Sequence, residues 1–396
     1  VVRGGRLRPT PEGFQLLAPS RLLPFITSDI FTLRGKARMA LDLLLPRRAT
    51  GDAEDESLAD FVRRRFGQEA LERMAQPMVG GIYTADPERL SLRATMPRFL
   101  DMERKDRSLI LSMWKAARRQ KAQGRQQTGT SGARYSLFLS FDAGMQTLSD
   151  ALAARLPQGS VRLDTKVESI TLESGGPRWL VRTSNSDTFI ADGVIVALPA
   201  YGAARLLREA DGELADELDA IPYASTATVN LAYRRADIPH PLDGFGFVVP
   251  FVERRATLAC TFSSVKFEGR APAGHALLRA FVGGALQPEM FALDEEEMVA
   301  AVRRDLRQLL GVEAAPLFAH VEKWPRSMAQ YHVGHRARIE RVRALLGRLP
   351  ALELCGNAFE GAGVPDCVRE GEEAARALRS RLNSTGQRVQ SATPRA

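Results

Sequence analysis

Leu352-Glu353-Leu354-Cys355-Gly356-Asn357-Ala358-Phe359-Glu360-Gly361-Ala362-Gly363-Val364-Pro365-Asp366-Cys367 is the stretch from which the rest of the chain is read. Its apolar start reads as a buried strand that breaks at Gly356. A loop with glycines at 356, 361 and 363 follows, and Pro365 suits a first helical turn, where its missing N–H costs nothing. Val368, Gly371, Ala375, Leu378 and Leu382 then recur at steps of three and four, a narrow apolar stripe facing a core. Strand, glycine loop and helix start together offer backbone N–H groups and a positive dipole end to an anion. An ordinary strand-to-helix connection has the same pattern, so the rest of the chain must decide.

The 396 residues are enough for two or three domains, and 44% hydrophobic with 26% charged residues is the composition of a globular protein. No run of about eighteen apolar residues is present, so no transmembrane helix is expected. Val1-Val2-Arg3-Gly4-Gly5-Arg6 is neither a start methionine nor a signal peptide. Three cysteines without CxxC spacing argue against a disulfide framework or a zinc site and favour a reducing compartment. A formal charge of +8 admits nucleic acid, an anionic membrane or an acidic substrate as partner. No helix-turn-helix, zinc-finger or RNA-binding signature accompanies the charge, so nucleic acid is not expected.

Along the chain, Gly4-Gly5 reads as a hairpin turn, and residues 20–125 as mostly helical. Ser57 and Asp60 form a capping box before Phe61, Val62 and Phe66, with Gly67 closing that helix. A second helix with Leu71 and Met74 is expected to stop at Pro77, and a basic helix to run from Arg104 to Arg125. This basic amphipathic helix fits either an anionic membrane surface or a solvated face over a helical core. Gln123 to Ser131 reads as a linker. Val161 to Leu172, Trp179 to Thr183 and Thr188 to Ile190 read as a meander, and Val194 to Pro199 as a buried strand. Further strands fall near Thr226–Tyr233, Gly246–Val249, Thr257–Phe262, Leu277–Val282 and Phe318–Trp324, interrupted by an acid-rich helix from Asp294 to Leu310. A helix from Arg336 to Leu349 leads into the opening stretch, and residues 383–396 read as a disordered tail. The fold class is α/β or α+β, with domains assembled from discontinuous segments.

The sequence holds no GxGxxG, no nucleophile elbow and no histidine set with metal-ligand spacing. Cys367 lies near a helix N-terminus, which lowers a thiol pKa, but without a paired histidine it reads as a packing residue. No catalytic acid–base or nucleophilic constellation is present. That fits an enzyme whose cofactor carries the chemistry, or a protein that is not an enzyme.

Gly356 to Cys367 resembles the carboxy-terminal FAD motif of oxygen-dependent protoporphyrinogen oxidases, within the flavin amine-oxidoreductase superfamily. In the same order, Pro77 to Asp86 and Leu90-Ser91-Leu92-Arg93-Ala94-Thr95 resemble that family's central helical segment. Arg107-Ser108-Leu109-Ile110, Ser140-Phe141-Asp142-Ala143-Gly144-Met145, Gly244-Phe245-Gly246-Phe247 and Gln330-Tyr331-His332-Val333-Gly334-His335 complete the set. The resemblance implies an FAD-linked oxidoreductase fold: an FAD domain over 141–205 and 350–382, a mixed-sheet substrate domain over 206–349, and a helical, membrane-associating domain over 10–125. The family's first βαβ unit, with its GxGxxG, would precede Val1, as would an arginine anchoring the substrate carboxylate. A chain lacking that unit is expected to hold FAD weakly.

Residue roles follow from the resemblance alone. Val167 is similar to the position whose backbone meets the adenine. Gly356, Ala362, Gly363 and Val364 resemble the loop whose backbone approaches the flavin ring and pyrophosphate, and Trp324 resembles an aromatic near the flavin. Gly81, Phe245, Val248 and Phe281 resemble the walls of a porphyrinogen pocket; for Phe245 and Phe281 the lesser alternative is an ordinary core residue. The implied reaction is oxidation of protoporphyrinogen IX to protoporphyrin IX, with FAD taking hydride and oxygen as acceptor, giving hydrogen peroxide. Coproporphyrinogen III is the alternative substrate. A non-catalytic remnant and a basic membrane-surface or nucleic-acid-binding module are the other readings. The expected setting is the cytoplasm, peripheral on the inner membrane, and the resemblance admits a homodimer.

Overall fold

A computed structural model describes residues 1–15, 17–48, 55–122 and 139–391. The expected linker at 123–131 lies outside them. The chain divides into two compact units, Val1–Ala151 with Ala224–Ser327, and Leu152–Tyr223 with Met328–Ala396.

The first unit begins with the antiparallel hairpin Val2–Arg3 and Arg6–Leu7, turned by Gly4 (φ 57°) and Gly5 (φ 75°). Both turn residues sit in the left-handed region that a tight hairpin turn demands and glycine adopts without strain. Their N–H groups donate to the Glu253 carboxylate at 2.9 and 3.0 Å.

In the helical layer, Ser57 caps Leu58–Arg65 by accepting the Asp60 N–H, and Phe61 and Val62 are fully buried. Arg65 is buried with them because Asp42 accepts its Nε–H at 2.6 Å. Asp42 also takes the Ser108 hydroxyl (2.6 Å) and the Ile110 N–H (3.1 Å). This buried carboxylate explains why the expected basic helix is two helices, Pro97–Asp106 and Leu109–Ala122. Arg107 turns left-handed (φ 66°) between them, which aims Ser108 and Ile110 at Asp42. Nor does Pro77 stop the preceding helix. A π-helical turn at Leu71–Ala75 precedes it, and Gln76–Tyr83 continues with proline in its first turn, where no N–H is needed.

The five-stranded sheet of this unit runs in the order Gly246–Val248, Ala259–Phe262, His275–Gly283, Tyr223–Arg234, Phe318–Ala329. Its first four strands pair antiparallel. Alternation along each strand sends Val229, Leu231, Phe247, Cys260, Leu278 and Ala280 into the core with Met298, Val302 and Leu306 of helix Glu295–Leu310. That helix starts on the capping box of Asp294 and Glu297 and ends at Gly311 (φ 71°).

The second unit carries the meander Val167–Leu172, Trp179–Thr183, Thr188–Ala191, so the expected first strand starts at Val167 rather than Val161. Leu352–Leu354 pairs in parallel with Val194–Val196. The indole Nε1–H of buried Trp179 donates to the Pro350 carbonyl at 2.7 Å.

Helix Val364–Ser391 then packs on the parallel pair, but not by the expected stripe. Glu370 and Ala374 are buried, whereas Val368 is 49% exposed and Ala375 is exposed. Polar side chains rotate the inner face, because Glu370 and Arg381 satisfy backbone groups of the loop and strand. Arg381 donates to the carbonyls of Leu352 (2.8 Å), Leu346 (3.2 Å) and Leu349 (2.9 Å). The helix continues to Ser391, past the expected start of the tail at 383. Propagating a formed helix needs far less than nucleating one, so loss of apolar periodicity does not end it. No described helix is long and apolar enough to cross a membrane.

Candidate functional site

The loop leaving Leu352–Leu354 is held from inside its own unit. The Glu370 carboxylate, 7% exposed, accepts the N–H groups of Gly356 (3.1 Å) and Glu360 (2.7 Å). Burial raises its pKa, and those two N–H groups oppose the shift. The Tyr331 hydroxyl donates to the Asn357 carbonyl (2.8 Å) and accepts the Gly361 N–H (3.0 Å). His335 stacks on Tyr331 with centroids 4.3 Å apart, and its Nε2 lies 3.2 Å from the Phe359 carbonyl. Burial lowers the His335 pKa to about 4, so the ring is neutral near pH 7 and Nε2–H is the donor.

With the loop so fixed, the N–H groups of Ala362, Gly363 and Val364 find no acceptor among the described residues. They stand at the first turn of a long helix, half-buried or exposed. A Cβ on Gly361 would meet Asp366 at 2.5 Å, so only glycine lets the loop close onto that turn. Open donors at a positive helix end are the groups that an anion would meet there. Cys367 is no nucleophile here: burial, then Glu370 and Asp366, push its thiol up.

A second candidate surface lies in the other unit, on the sheet face away from the core. Its register places Val248, Ala259, Phe281 and Thr228 in one row, and Gly246, Thr261, Arg279 and Asn230 in the next. Phe281 and Val248 are half-buried and Arg279 is exposed. The Arg279 Nε–H donates to Asn230 Oδ1 at 2.8 Å. The C-terminal turn of helix Gln76–Tyr83 leads to this sheet through the Thr84 carbonyl, which accepts the Ala285 N–H at 2.8 Å. A Cβ on Gly81 in that turn would meet nothing within 4 Å.

The flavin containing amine oxidoreductase family model matches residues 2–379. The chain belongs to this family. Flavin is the family's cofactor, and the open N–H groups of Ala362, Gly363 and Val364 are donors of the kind a flavin nucleotide's pyrophosphate needs. Among relatives, the oxidoreductase is 36% identical to coproporphyrinogen III oxidase of Bacillus subtilis (strain 168), over 93% of this chain and 76% of the relative. It is 32% identical to the chloroplastic protoporphyrinogen oxidase of Oryza sativa subsp. japonica, over 95% and 71%. The crystal structure of a protoporphyrinogen oxidase candidate from Exiguobacterium sp. 255-15 superposes with TM-score 0.80 at 29% identity, covering 96% of this chain and 79% of that one.

Of the residues that the resemblance implied for the oxidoreductase, Gly356, Ala362, Gly363 and Val364 share the one loop. Val167 stands in the same unit, half-buried at the start of its strand and paired with Thr183. Trp324 belongs to the other unit and is 49% exposed. Val248 and Phe281 share a row, and Phe245 is half-buried just before Gly246. The φ of 139° at Gly246, where a Cβ would meet the Cys260 carbonyl at 2.0 Å, breaks strand alternation before it reaches Phe245. Tyr331, His335 and Glu370 carried no role in the sequence reading. Tyr331 and His335 lay inside a quoted motif, but nothing in the sequence pairs Glu370 with Gly356.

Proposed function

We propose that the chain oxidises a porphyrinogen, with coproporphyrinogen III rather than protoporphyrinogen IX as substrate. What carries the preference is that the bacterial relatives named for coproporphyrinogen III oxidase match at 36%, 34% and 32% identity over at least 93% of this chain. A relative named for protoporphyrinogen oxidation matches at 32%, which keeps protoporphyrinogen IX as the second reading. When bound, FAD supplies the hydride acceptor and passes electrons on to oxygen. The chain's part is to bind, orient and exclude water. Val248, Ala259 and Phe281 offer an apolar row to the macrocycle, Gly81 an unobstructed backbone, and Ala362 to Val364 the donors for the pyrophosphate. The test is turnover by FAD-loaded protein on both porphyrinogens under air. Faster oxidation of protoporphyrinogen IX reverses the preference, and oxidation of neither sinks the reading.

Peripheral contact with an anionic membrane is part of the same proposal, assigned to the helical segment. Helix Leu33–Ala40 buries Met39, yet it and the turn after it expose Leu33 (82%) and Leu44 (74%). Beside Leu44 a cleft of about 450 Å³ is lined by Arg47, Arg104, Lys105, Arg107 and Lys115, with Asp106 taking the Lys115 ammonium at 2.6 Å. Cations around exposed leucines match an anionic lipid surface. Sedimentation with phosphatidylglycerol vesicles, but not with phosphatidylcholine vesicles, is the expected result; equal sedimentation with both, or with neither, counts against it.

A further inference from the structure

The structure assigns to Arg279, braced by Asn230, the role of a carboxylate anchor for a propionate of the porphyrinogen. The inference rests on the porphyrinogen reading and deepens it. Arg279 stands two residues from Phe281 along strand His275–Gly283, so both face the open side of the sheet, about 7 Å apart along the strand. The rows of the sheet differ in kind. Val248, Ala259 and Phe281 make one row apolar up to Thr228 at its end, whereas Thr261, Arg279 and Asn230 are polar, and Gly246 at the end of that row has no side chain to obstruct it. A tetrapyrrole has the same two-part chemistry, an apolar ring with carboxylates on its rim.

Several observations make Arg279 a binding group rather than a solvated surface charge. Its Nε–H is committed to Asn230 at 2.8 Å, which fixes the plane of the guanidinium. Its two Nη groups find no partner among the described residues, so the edge that takes a carboxylate bidentately is open. A second cation shares the neighbourhood. Lys266, on the short helix that directly follows strand Ala259–Phe262, is held below its usual range by burial and then by Arg279. A neighbouring cation adds to the positive potential that an anion would meet at the open guanidinium edge. Coproporphyrinogen presents a propionate on every ring, whereas protoporphyrinogen has vinyl groups on some, so an anchor here favours the former in more of its orientations.

The experiment is fluorescence titration of the whole chain with coproporphyrin III, using the free acid and its tetramethyl ester, with no turnover required. For the wild type the free acid should bind at least about tenfold more tightly than the ester, the usual worth of a hydrogen bond to a charged group. Arg279→Met should lose that factor for the free acid and leave the ester unchanged, while Arg279→Lys, which keeps charge but not the planar fork, should fall between. Circular dichroism matched to wild type confirms that both variants fold. In turnover, Arg279→Met should raise KM with little change in kcat. Equal losses for acid and ester, or no loss, overturn the anchor while leaving the porphyrinogen reading intact. A wild type that binds neither porphyrin overturns both.

Discussion

The glycine loop at 356–364 and the open sheet face bearing Phe281 offer polar groups in opposite ways. In the loop, backbone N–H groups are the donors, and the buried side chains of Glu370, Tyr331 and His335 serve only to hold that backbone in shape. On the sheet, the backbone is consumed by the antiparallel ladder, so whatever the face recognises is read by side chains alone. Damage to the first region should therefore appear as lost stability, and damage to the second as lost affinity with the fold intact.

The largest departure should come from Glu370→Ala, which takes the carboxylate partner away from the Gly356 and Glu360 N–H groups. At about 1.5–3 kcal/mol for each hydrogen bond to a charged group, urea unfolding should show a loss of about 3–6 kcal/mol, with faster amide exchange at both residues. A loss under about 0.5 kcal/mol would mean that the loop needs no such brace.

Next in size is the pH response of His335. Its folded pKa of about 4 lies below the ordinary 6.5, so the unfolded chain binds a proton that the native state refuses. The sign follows: this contribution to stability is complete above pH 6.5 and is lost as pH falls to about 4, to the extent of a few kcal/mol. Glu370, with its raised pKa, titrates in the opposite sense. The difference between wild type and His335→Gln across that window isolates the histidine, and parallel curves would refute the assignment.

On the sheet face, Phe281→Ala should weaken porphyrin binding about tenfold, through lost apolar contact, while its unfolding midpoint falls far less than that of a core phenylalanine. A large drop in midpoint with unchanged affinity would make Phe281 a core residue after all. Smallest is Gly81→Ala, where the new methyl group meets nothing within 4 Å and the position is helical. Stability should stay level or rise by up to about 1 kcal/mol, and any change in porphyrin binding then reports on the backbone at that turn.

The two regions also differ in how they could be read beforehand. The strand, the glycines and the helix start around Gly356 were legible because each obeys local rules of propensity and capping. The alternation of the sheet strands was legible for the same reason, as were the caps at Ser57 and Asp294. Where reading failed, a distant group had intervened. Buried Asp42 split one basic helix in two at Arg107, a π-helical turn carried a helix through Pro77, and Glu370 turned the inner face of the last helix away from Val368.

Periodicity, capping residues and turn glycines are properties of neighbours along the chain, and so the element types and the strand–glycine loop–helix connection followed from sequence. Which carboxylate satisfies which buried N–H, and which residues of separate strands share a row, depends on groups far apart in sequence brought within hydrogen-bonding distance. Gly356 and Glu370 meet across 14 residues, and Asn230 and Arg279 across 49. No local preference encodes those pairings. Burial of polar groups demands partners, and only the folded chain decides which partners they are.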